Sequence, residues 1–315
     1  MAEKVLITGG AGFIGSHVAD RCLDHGFEVT ILDDLSSGKR ENIPDKAEFV
    51  EADIGSDVAR DLVASGGFKY LNHHAAQMDV RVSVDDPRHD AKINIDGLLN
   101  LLEGARKGKV QRVVFASSGG VVYGAGGNLP YSEEEKKLPV SPYGVSKLAS
   151  EYYLAMYRQL YGLETVALRY SNVYGPRQNP HGEAGVVAIF CNRILAGRSL
   201  TVFGDGKQTR DYVYVEDVAE ANLAVLTGPA PLGDDLDASA FNVGTGVETD
   251  VNGLAKGLID ASGRDAEVVH EAERPGELKR NSVDAGKLSR EFGWTPSRKL
   301  DEGLQLTFDW IAANQ

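Results

Sequence analysis

The chain has 315 residues, 42% hydrophobic and 25% charged, a composition that excludes a disordered or fibrous protein. Its 33 basic and 46 acidic residues give a net charge of −13, which disfavours nucleic acid as a partner because phosphate binding needs a basic face. Two cysteines cannot form a disulfide framework, and no apolar run approaches the ~20 residues of a membrane helix. Because the N-terminus runs directly into an apolar strand, we expect a cytoplasmic protein with no membrane partner.

Short apolar runs alternate with helical patterns in the first half of the chain. The runs predict strands at residues 5–7, 29–32, 48–50, 70–71, 113–115 and 165–169. The apolar spacing between them predicts helices at 13–24, 57–64, 91–107 and 143–161. Continuously apolar strands separated by helices indicate a parallel sheet covered on both faces. The predicted fold class is therefore α/β, a doubly wound Rossmann domain.

Beyond residue 170 the pattern changes to shorter elements separated by loops rich in Pro and Gly, and a helix at 301–313 closes the chain. We predict an NAD-binding Rossmann domain at 1–170, rejoined by part of 211–245. A smaller, discontinuous α/β substrate-binding lobe would take up 171–315. The polar stretch 228–235 and the charge run 133–137 are predicted to be loops exposed to solvent.

A glycine-rich loop follows the first predicted strand and opens the first helix. Gly10, Gly12 and Gly15 fit G-x-G-x-x-G, and Gly9 offers the alternative start of a G-x-x-G-x-x-G pattern. Such glycines allow a tight turn and a close approach to a pyrophosphate, whose charge then lies at the helix N-terminus. The loop therefore predicts a dinucleotide site.

Acidic residues follow the second and third strands. Asp33 and Asp34 lie about 20 residues after the glycines, where a carboxylate accepts hydrogen bonds from the adenosine ribose. Asp33 is the first residue after the apolar run and is the preferred candidate for this ribose contact. A carboxylate there repels a 2′-phosphate, so NAD is favoured over NADP. Asp53 and Ile54 are candidate adenine contacts, although Asp53 could equally be an ordinary loop residue.

The pair His73-His74 does not predict a metal site. Neighbouring residues of a strand point to opposite faces, so the two imidazoles cannot easily share one ion. The sequence shows no cluster of Cys or carboxylates to complete a ligand shell. We interpret both histidines as packing against the cofactor strand and expect no metal.

Tyr143 and Lys147 follow Ser141-Pro142, a helix-entry signal, and residues four apart share one helix face. An ammonium beside a phenol stabilises the phenolate, and lowering a Tyr pKa from ~10 towards 7 takes ~4 kcal/mol. Tyr143 is therefore a candidate general base. Ser118 ends the fifth strand, at the edge of the sheet where ligands bind. Its alternative role is to cap the junction of strand and loop.

Together these motifs resemble the extended short-chain dehydrogenase/reductase family, and more narrowly nucleotide-sugar epimerases of the UDP-glucose 4-epimerase type. The resemblance covers nearly the whole chain, in residues 8–15, 73–76, 94, 117–124, 143–147, 169–177, 210–217 and 274–277. It implies an NAD-dependent enzyme, usually a homodimer, with Ser118, Tyr143 and Lys147 as the catalytic triad. It also implies NAD contacts by Tyr143, Lys147 and the following further residues: Phe13, Ile14, Ser37, Gly38, His74, Ala75, Ala76, Gln77, Asn94, Ser117 and Tyr170.

The segment 115–124 is one residue longer than in many family members. Counting from the strand places the catalytic hydroxyl at Ser118, whereas counting back from Tyr123 places it at Gly119. Since Gly119 has no hydroxyl, we choose Ser118.

Residues 169–210 carry six basic side chains against two acidic ones, which suits a small anion such as a diphosphate. Alternatively, Arg193 and Arg198 simply face water. The resemblance implies a UDP-sugar substrate bound by the following residues: Ser118, Asn172, Val187, Phe203, Arg210, Arg274 and Glu277. Asn172 and the two arginines would hold the diphosphate, and Phe203 the uracil. Position 281 corresponds to a gate for N-acetylated sugars, and Asn281 is of intermediate size.

The resemblance predicts an isomerase that inverts C4 of UDP-glucose or UDP-galactose through a transient 4-keto sugar. Epimerisation of a UDP-N-acetylhexosamine or of UDP-glucuronate stays open. A nucleotide-sugar 4,6-dehydratase or decarboxylase would share the first oxidation, but a dehydratase typically has Asp-Glu after the fifth strand, where this chain has residues 119–122, Gly-Gly-Val-Val. An NAD-sensing binding protein is the alternative without catalysis, and the complete Ser118, Tyr143 and Lys147 set argues against it.

Overall fold

The computed structural model describes residues 2–180, 185–231, 233, 235–273 and 278–314. The strands and helices of its first half are β1 (Lys4–Thr8), α1 (Phe13–Asp24), β2 (Glu28–Asp33), β3 (Glu48–Glu51), α2 (Asp57–Ser65), β4 (Tyr70–His73), α3 (Val80–Asp85), α4 (Pro87–Ala91), α5 (Gly97–Gly108), β5 (Arg112–Ser118), α6 (Pro142–Tyr161) and β6 (Glu164–Tyr170). The predicted strands and helices up to residue 170 are confirmed to within a few residues, except that the helix predicted at 91–107 is divided into the end of α4, a π turn at Lys92–Asp96 and α5. The short helix α3 was not predicted.

The second half consists of shorter elements. They are β7 (Asn172–Tyr174), α7 (Val186–Leu195), β8 (Leu200–Phe203), β9 (Thr209–Tyr214), α8 (Val215–Thr227), β10 (Ala240–Val243), β11 (Glu248–Asp250), α9 (Val251–Ser262), β12 (Val268–Glu271), α10 (Gly286–Phe292) and α11 (Leu300–Ala313). The closing helix predicted at 301–313 is confirmed as α11. Across the described ranges, no helix combines the length and the apolar character needed to cross a bilayer.

Seven parallel strands form the main sheet in the order β3-β2-β1-β4-β5-β6-β10. This confirms the doubly wound α/β class. The direction of strand succession reverses between β1 and β4. In such sheets ligands bind at this switch point, beyond the carboxyl ends of the strands. Every candidate catalytic and cofactor-binding element described below lies at that edge.

The pleat of β1 explains how both faces of the sheet are covered. Val5 and Ile7 join one apolar core and Leu6 joins the other, because successive strand residues point to opposite faces. Helices α1, α8 and α10 complete the first core, and α2, α5 and α6 complete the second. Thus the helix that carries Tyr143 and Lys147 packs directly on the sheet.

A third core holds the remaining elements together. It is formed by buried apolar residues of α7, β8, β9, α9 and α11. Beside it lie a three-stranded sheet, β11-β9-β7, and a parallel pair, β12-β8. The chain also returns to the main sheet, since β10 pairs in parallel with β6.

The charge run 133–137, predicted as a loop exposed to solvent, contributes a buried carboxylate and a partly buried ammonium, whereas the described residues of 228–235 are exposed or half-buried. Glu133 is only 5% exposed and accepts a hydrogen bond from the Asn242 amide at 2.8 Å. Asp237, just beyond the polar stretch 228–235, forms ion pairs with Lys137 and with Arg169. The prediction was wrong for the charge run because these groups surround a buried arginine, which a hydrophilic sequence pattern does not reveal.

Candidate active site

The loop between β1 and α1 has room only for glycine at two of the predicted positions. Gly9 has φ +68°, and a Cβ there would lie 2.6 Å from the backbone nitrogen of Ala75. A Cβ on Gly15 would lie 2.3 Å from the Gly9 carbonyl oxygen. Helix α1 begins after Gly12, and no side chain among the described residues caps it. Its first-turn amides can therefore bind a pyrophosphate, so these residues fit NAD.

Asp33 ends β2 and is buried against the glycine loop. Its two carboxylate oxygens accept hydrogen bonds from the backbone amides of Ala11 at 3.0 Å and Leu35 at 2.9 Å. Burial raises the pKa of this carboxyl above its ordinary value. Each oxygen retains a lone pair, so the carboxylate is held in place and can still accept a ribose hydroxyl. Asp34 is exposed and bonds Ser36 instead.

The loop after β3 carries an exposed and a buried candidate residue. Asp53 accepts a hydrogen bond from the Gly55 amide at 2.7 Å, as an ordinary loop carboxylate does. Ile54 is buried and packs closely on Gly97. A Cβ on Gly97 would lie 2.7 Å from the Cδ1 of Ile54. The remaining predicted NAD contacts in loops and helix starts lie at this same edge of the sheet: Phe13 and Ile14 in the first turn of α1, Ser37 and Gly38 after β2, and Ala75 and Ala76 after β4.

Of the two histidines at the end of β4, His73 is buried and His74 is half-buried, and both are neutral. His73 shares a 2.6 Å hydrogen bond with the Thr8 hydroxyl, which links β4 to the glycine loop. The ring of His74 stacks on that of Tyr170, with centroids 6.3 Å apart. Burial and the nearby Lys147 charge lower the pKa of His74 to about 3 and that of His73 well below its usual value. Within the residues described, no three Cys, His or acidic side chains are grouped to hold a metal ion.

Helix α6 presents the Tyr-Lys pair on one face. The Lys147 Nζ lies 5.7 Å from the centre of the Tyr143 ring and 4.6 Å from that of Phe115. It donates a hydrogen bond to the Ala116 carbonyl at 2.8 Å. Burial lowers the pKa of Lys147 to about 8. A buried ammonium beside a phenol is the arrangement that stabilises a phenolate.

The last two residues of β5 point in opposite directions. The Ser117 hydroxyl is buried and donates to the Glu151 carboxylate of α6 at 2.5 Å. This leaves the backbone of Ser117, rather than its hydroxyl, for the predicted cofactor contact. The Ser118 hydroxyl has no such bond within the described ranges. A Cβ on Gly119 would lie 2.8 Å from Val283, so the structure leaves no room for a side chain there.

A wide π turn at Lys92–Asp96 directs Asn94 into the site, a feature common near functional residues. The Asn94 Nδ2 contacts the Gln77 carbonyl at 2.9 Å, the Asp90 carboxylate at 3.0 Å and the Ser146 hydroxyl at 3.3 Å. Its Oδ1 accepts from the Gln77 amide at 3.0 Å. The sequence singled out Asn94 and Gln77 by resemblance and missed Asp90 and Ser146. Only the tertiary contacts identify them, because α4 and α6 are distant in sequence.

The predicted substrate residues lie on several elements of the second half. Asn172 begins β7, Val187 is buried in α7, Phe203 ends β8, and Arg210 lies in β9 opposite Thr249. Arg274 and Glu277 lie outside the described residues. Asn281 is 1% exposed and donates to the Gly119 carbonyl at 3.3 Å. Its Oδ1 is buried without a partner in the part of the chain that is described, a vacant acceptor at this edge.

Arg169 and Arg177, two of the six basic residues between 169 and 210, pair with carboxylates from other segments of the chain. Arg169 is fully buried and pairs with Glu151 at 2.6 Å, and its guanidinium also reaches Asp237 at 2.9 Å. Arg177 pairs with Asp20 of α1 at 2.7 Å. The charge count therefore overstated the positive charge available to an anion, because sequence cannot show which arginines have internal counter-ions.

Comparison with known proteins agrees with this geometry. The sequence model of the NAD dependent epimerase/dehydratase family matches residues 5–244. A UDP-glucose 4-epimerase of Mycolicibacterium smegmatis is 46% identical over 313 residues, which cover 98% of this chain and 98% of that protein. The structure of a UDP-glucose 4-epimerase of Thermotoga maritima with UDP-glucose is 44% identical, with a TM-score of 0.94 over 99% of both chains. That of the Thermus thermophilus UDP-glucose 4-epimerase with NAD is 43% identical, with a TM-score of 0.89 over 98% of both chains.

Proposed function

We propose that this chain, which belongs to the NAD dependent epimerase/dehydratase family, is an NAD-dependent isomerase that inverts C4 of a UDP-hexose. The observation that carries the proposal is the Lys147 ammonium, buried 5.7 Å from the Tyr143 ring at the carboxyl edge of the sheet. Ser118 ends the neighbouring strand at the same edge. NAD, when bound, supplies the acceptor and then the donor of the C4 hydride.

Each catalytic side chain has a separate role. Tyr143 removes the proton from the sugar O4 as the C4–H bond breaks, and later returns a proton to O4. Lys147 stabilises the Tyr143 phenolate through its charge, and its bond to the Ala116 carbonyl holds it in place. The Ser118 hydroxyl hydrogen-bonds O4. The 4-keto sugar turns in the cleft, and C4 regains its hydrogen on the opposite face.

The same residues argue against dehydration. Dehydration at C5 and C6 needs an acid and a base near those atoms, whereas residues 119–122 contain no ionisable side chain. Moreover, a side chain on Gly119 would collide with Val283. The residues after β5 thus favour a reaction limited to oxidation and reduction at C4.

The decisive experiment combines a substrate panel with a single hydroxyl deletion. Purified protein is incubated with UDP-glucose, UDP-galactose, their N-acetylated forms and UDP-glucuronate, and C4 inversion is followed by NMR. We expect inversion of the unmodified hexoses, and loss of turnover in Tyr143→Phe with the circular dichroism spectrum unchanged. Tyr153→Phe is the control, an exposed tyrosine on the same helix. Near-normal turnover by Tyr143→Phe would disprove the role of Tyr143. Formation of a dehydrated sugar would show that the enzyme catalyses elimination and not epimerisation.

We also propose that the enzyme is a cytoplasmic homodimer. Helix α6 exposes Val145, Tyr152 and Leu160 at 52%, 60% and 66%, and their spacing places them along one side of the helix. Two adjoining grooves of 560 and 530 Å³ share Ile95 and connect this side to α5. Exposed apolar side chains along one side of a helix, next to grooves of this size, support association with a second copy. Both cysteines are buried free thiols, as suits a reducing compartment.

A further inference from the structure

A buried carboxylate, Asp90, lies in α4 without an ion pair in the described part of the chain. Its side chain is 1% exposed. The same oxygen, Oδ1, accepts hydrogen bonds from the Gln77 Nε2 at 2.9 Å and the Asn94 Nδ2 at 3.0 Å. Both donors are neutral amides. A buried carboxylate that no cation contacts directly is costly unless a positive charge lies nearby.

The hydrogen bonds of Asp90 connect the loop after β4 with the catalytic helix. Asn94, which bonds Asp90, also lies 3.3 Å from the Ser146 hydroxyl. That hydroxyl donates to the Tyr143 carbonyl at 3.0 Å, in the first turn of α6. Asp90 therefore supports the backbone that carries both Tyr143 and, one turn on, Lys147.

Lys147 is the positive charge in these surroundings, and Asp90 is the carboxylate free to balance it. Asp90 and Glu151 both favour the ammonium form of Lys147, against the effect of burial. Glu151, however, is already paired with the fully buried Arg169 at 2.6 Å.

The other groups described around Lys147 do not carry negative charge in the resting site. From β4, His73 and His74 face it as neutral imidazoles, because burial and Lys147 itself lower the pKa of both. From β5 it meets the Phe115 ring and a backbone carbonyl, and from its own helix the Tyr143 phenol. Of these groups, Asp90 is therefore the one whose loss of charge should lower the pKa of Lys147 most directly.

We propose that Asp90 is a positioning residue of the active site, whose carboxylate holds Gln77 and Asn94 in place and supplies the counter-charge that keeps Lys147 an ammonium beside Tyr143. The inference rests on the proposed epimerisation only in one respect, because that reaction uses the Lys147 ammonium to stabilise the Tyr143 phenolate. The charge balance itself is a property of the folded chain.

Asp90→Asn separates charge from shape. Because both amide donors bond one oxygen, the asparagine Oδ1 can accept both bonds, and only the negative charge is lost. We expect the alkaline limb of the kcat profile to move to lower pH by about one unit, the effect of removing one opposite charge nearby. Activity near pH 6 should change little. Asp85→Asn is the control, since it removes the same charge from an exposed residue of α3 and should keep the original profile.

A second measurement does not depend on turnover. With lysine labelled by ¹³C at Cε, the Lys147 resonance is assigned through Lys147→Met and titrated in the NAD-loaded protein. Its midpoint should fall in Asp90→Asn and stay unchanged in Asp85→Asn. An unchanged midpoint, or an equal loss of kcat at every pH, would overturn the proposal and reduce Asp90 to a structural residue. If the native enzyme inverts no UDP-hexose, the function fails while the titration still decides the role of Asp90.

Discussion

Replacing Lys147 by methionine should abolish turnover and yet stabilise the protein without cofactor at neutral pH. Burial lowers the Lys147 pKa from 10.5 to about 8, which corresponds to about 3 kcal/mol of destabilisation while the side chain is charged. Methionine has a similar length and suits an apolar environment. It loses the bond to the Ala116 carbonyl, worth about 1 kcal/mol. The net gain in the free energy of unfolding should be about 2 kcal/mol at pH 7.

The pH dependence of this gain tests its cause. Below pH 8 both folded and unfolded chains carry the ammonium, and the folded state bears the full cost of burying it. Between pH 8 and 10.5 the folded chain loses the proton first, so native stability rises relative to Lys147→Met. Above 10.5 the cost is gone. Urea unfolding of native protein and variant at pH 7 and pH 10 measures the difference directly. A variant less stable at pH 7, or a difference that is the same at both pH values, would refute the reasoning.

Two further predictions concern charge and assembly. Arg169→Met leaves the buried Glu151 carboxylate without its counter-ion and should lower the free energy of unfolding by about 3–5 kcal/mol. Arg40→Met, which breaks an exposed pair with Glu51, should lower the free energy of unfolding by about 1 kcal/mol or less in the same urea titration. Equal losses of stability in the two variants would contradict the burial assigned to Arg169. Tyr152→Glu should shift the mass in light scattering from dimer to monomer, while Val58→Glu, equally exposed on α2, should not. A native protein of monomer mass would exclude the proposed dimer.

Local patterns were sufficient to predict most of the sheet. Continuous apolar runs such as 113–115 indicated strands covered on both faces, and the glycine spacing at 9–15 indicated a strand, turn and helix. The Tyr143–Lys147 spacing placed both side chains on one helix face, and the structure has that geometry. These features depend on contacts within a few residues, so they can be predicted from sequence alone.

Contacts between distant segments were decided only by the tertiary structure. Glu133 and Asp237 have the sequence character of loop residues, yet they surround Arg169 because the fold brings segments about 40 and 70 residues away against β6. Likewise, counting along the sequence selected Ser118, but only the pleat of β5 shows that the Ser117 hydroxyl is bound to Glu151. Asp90 is connected to the catalytic helix through Asn94, which lies in the π turn at Lys92–Asp96 and contacts both Asp90 and Ser146. Whether a charge faces water or a buried counter-charge depends on packing, which no local spacing encodes.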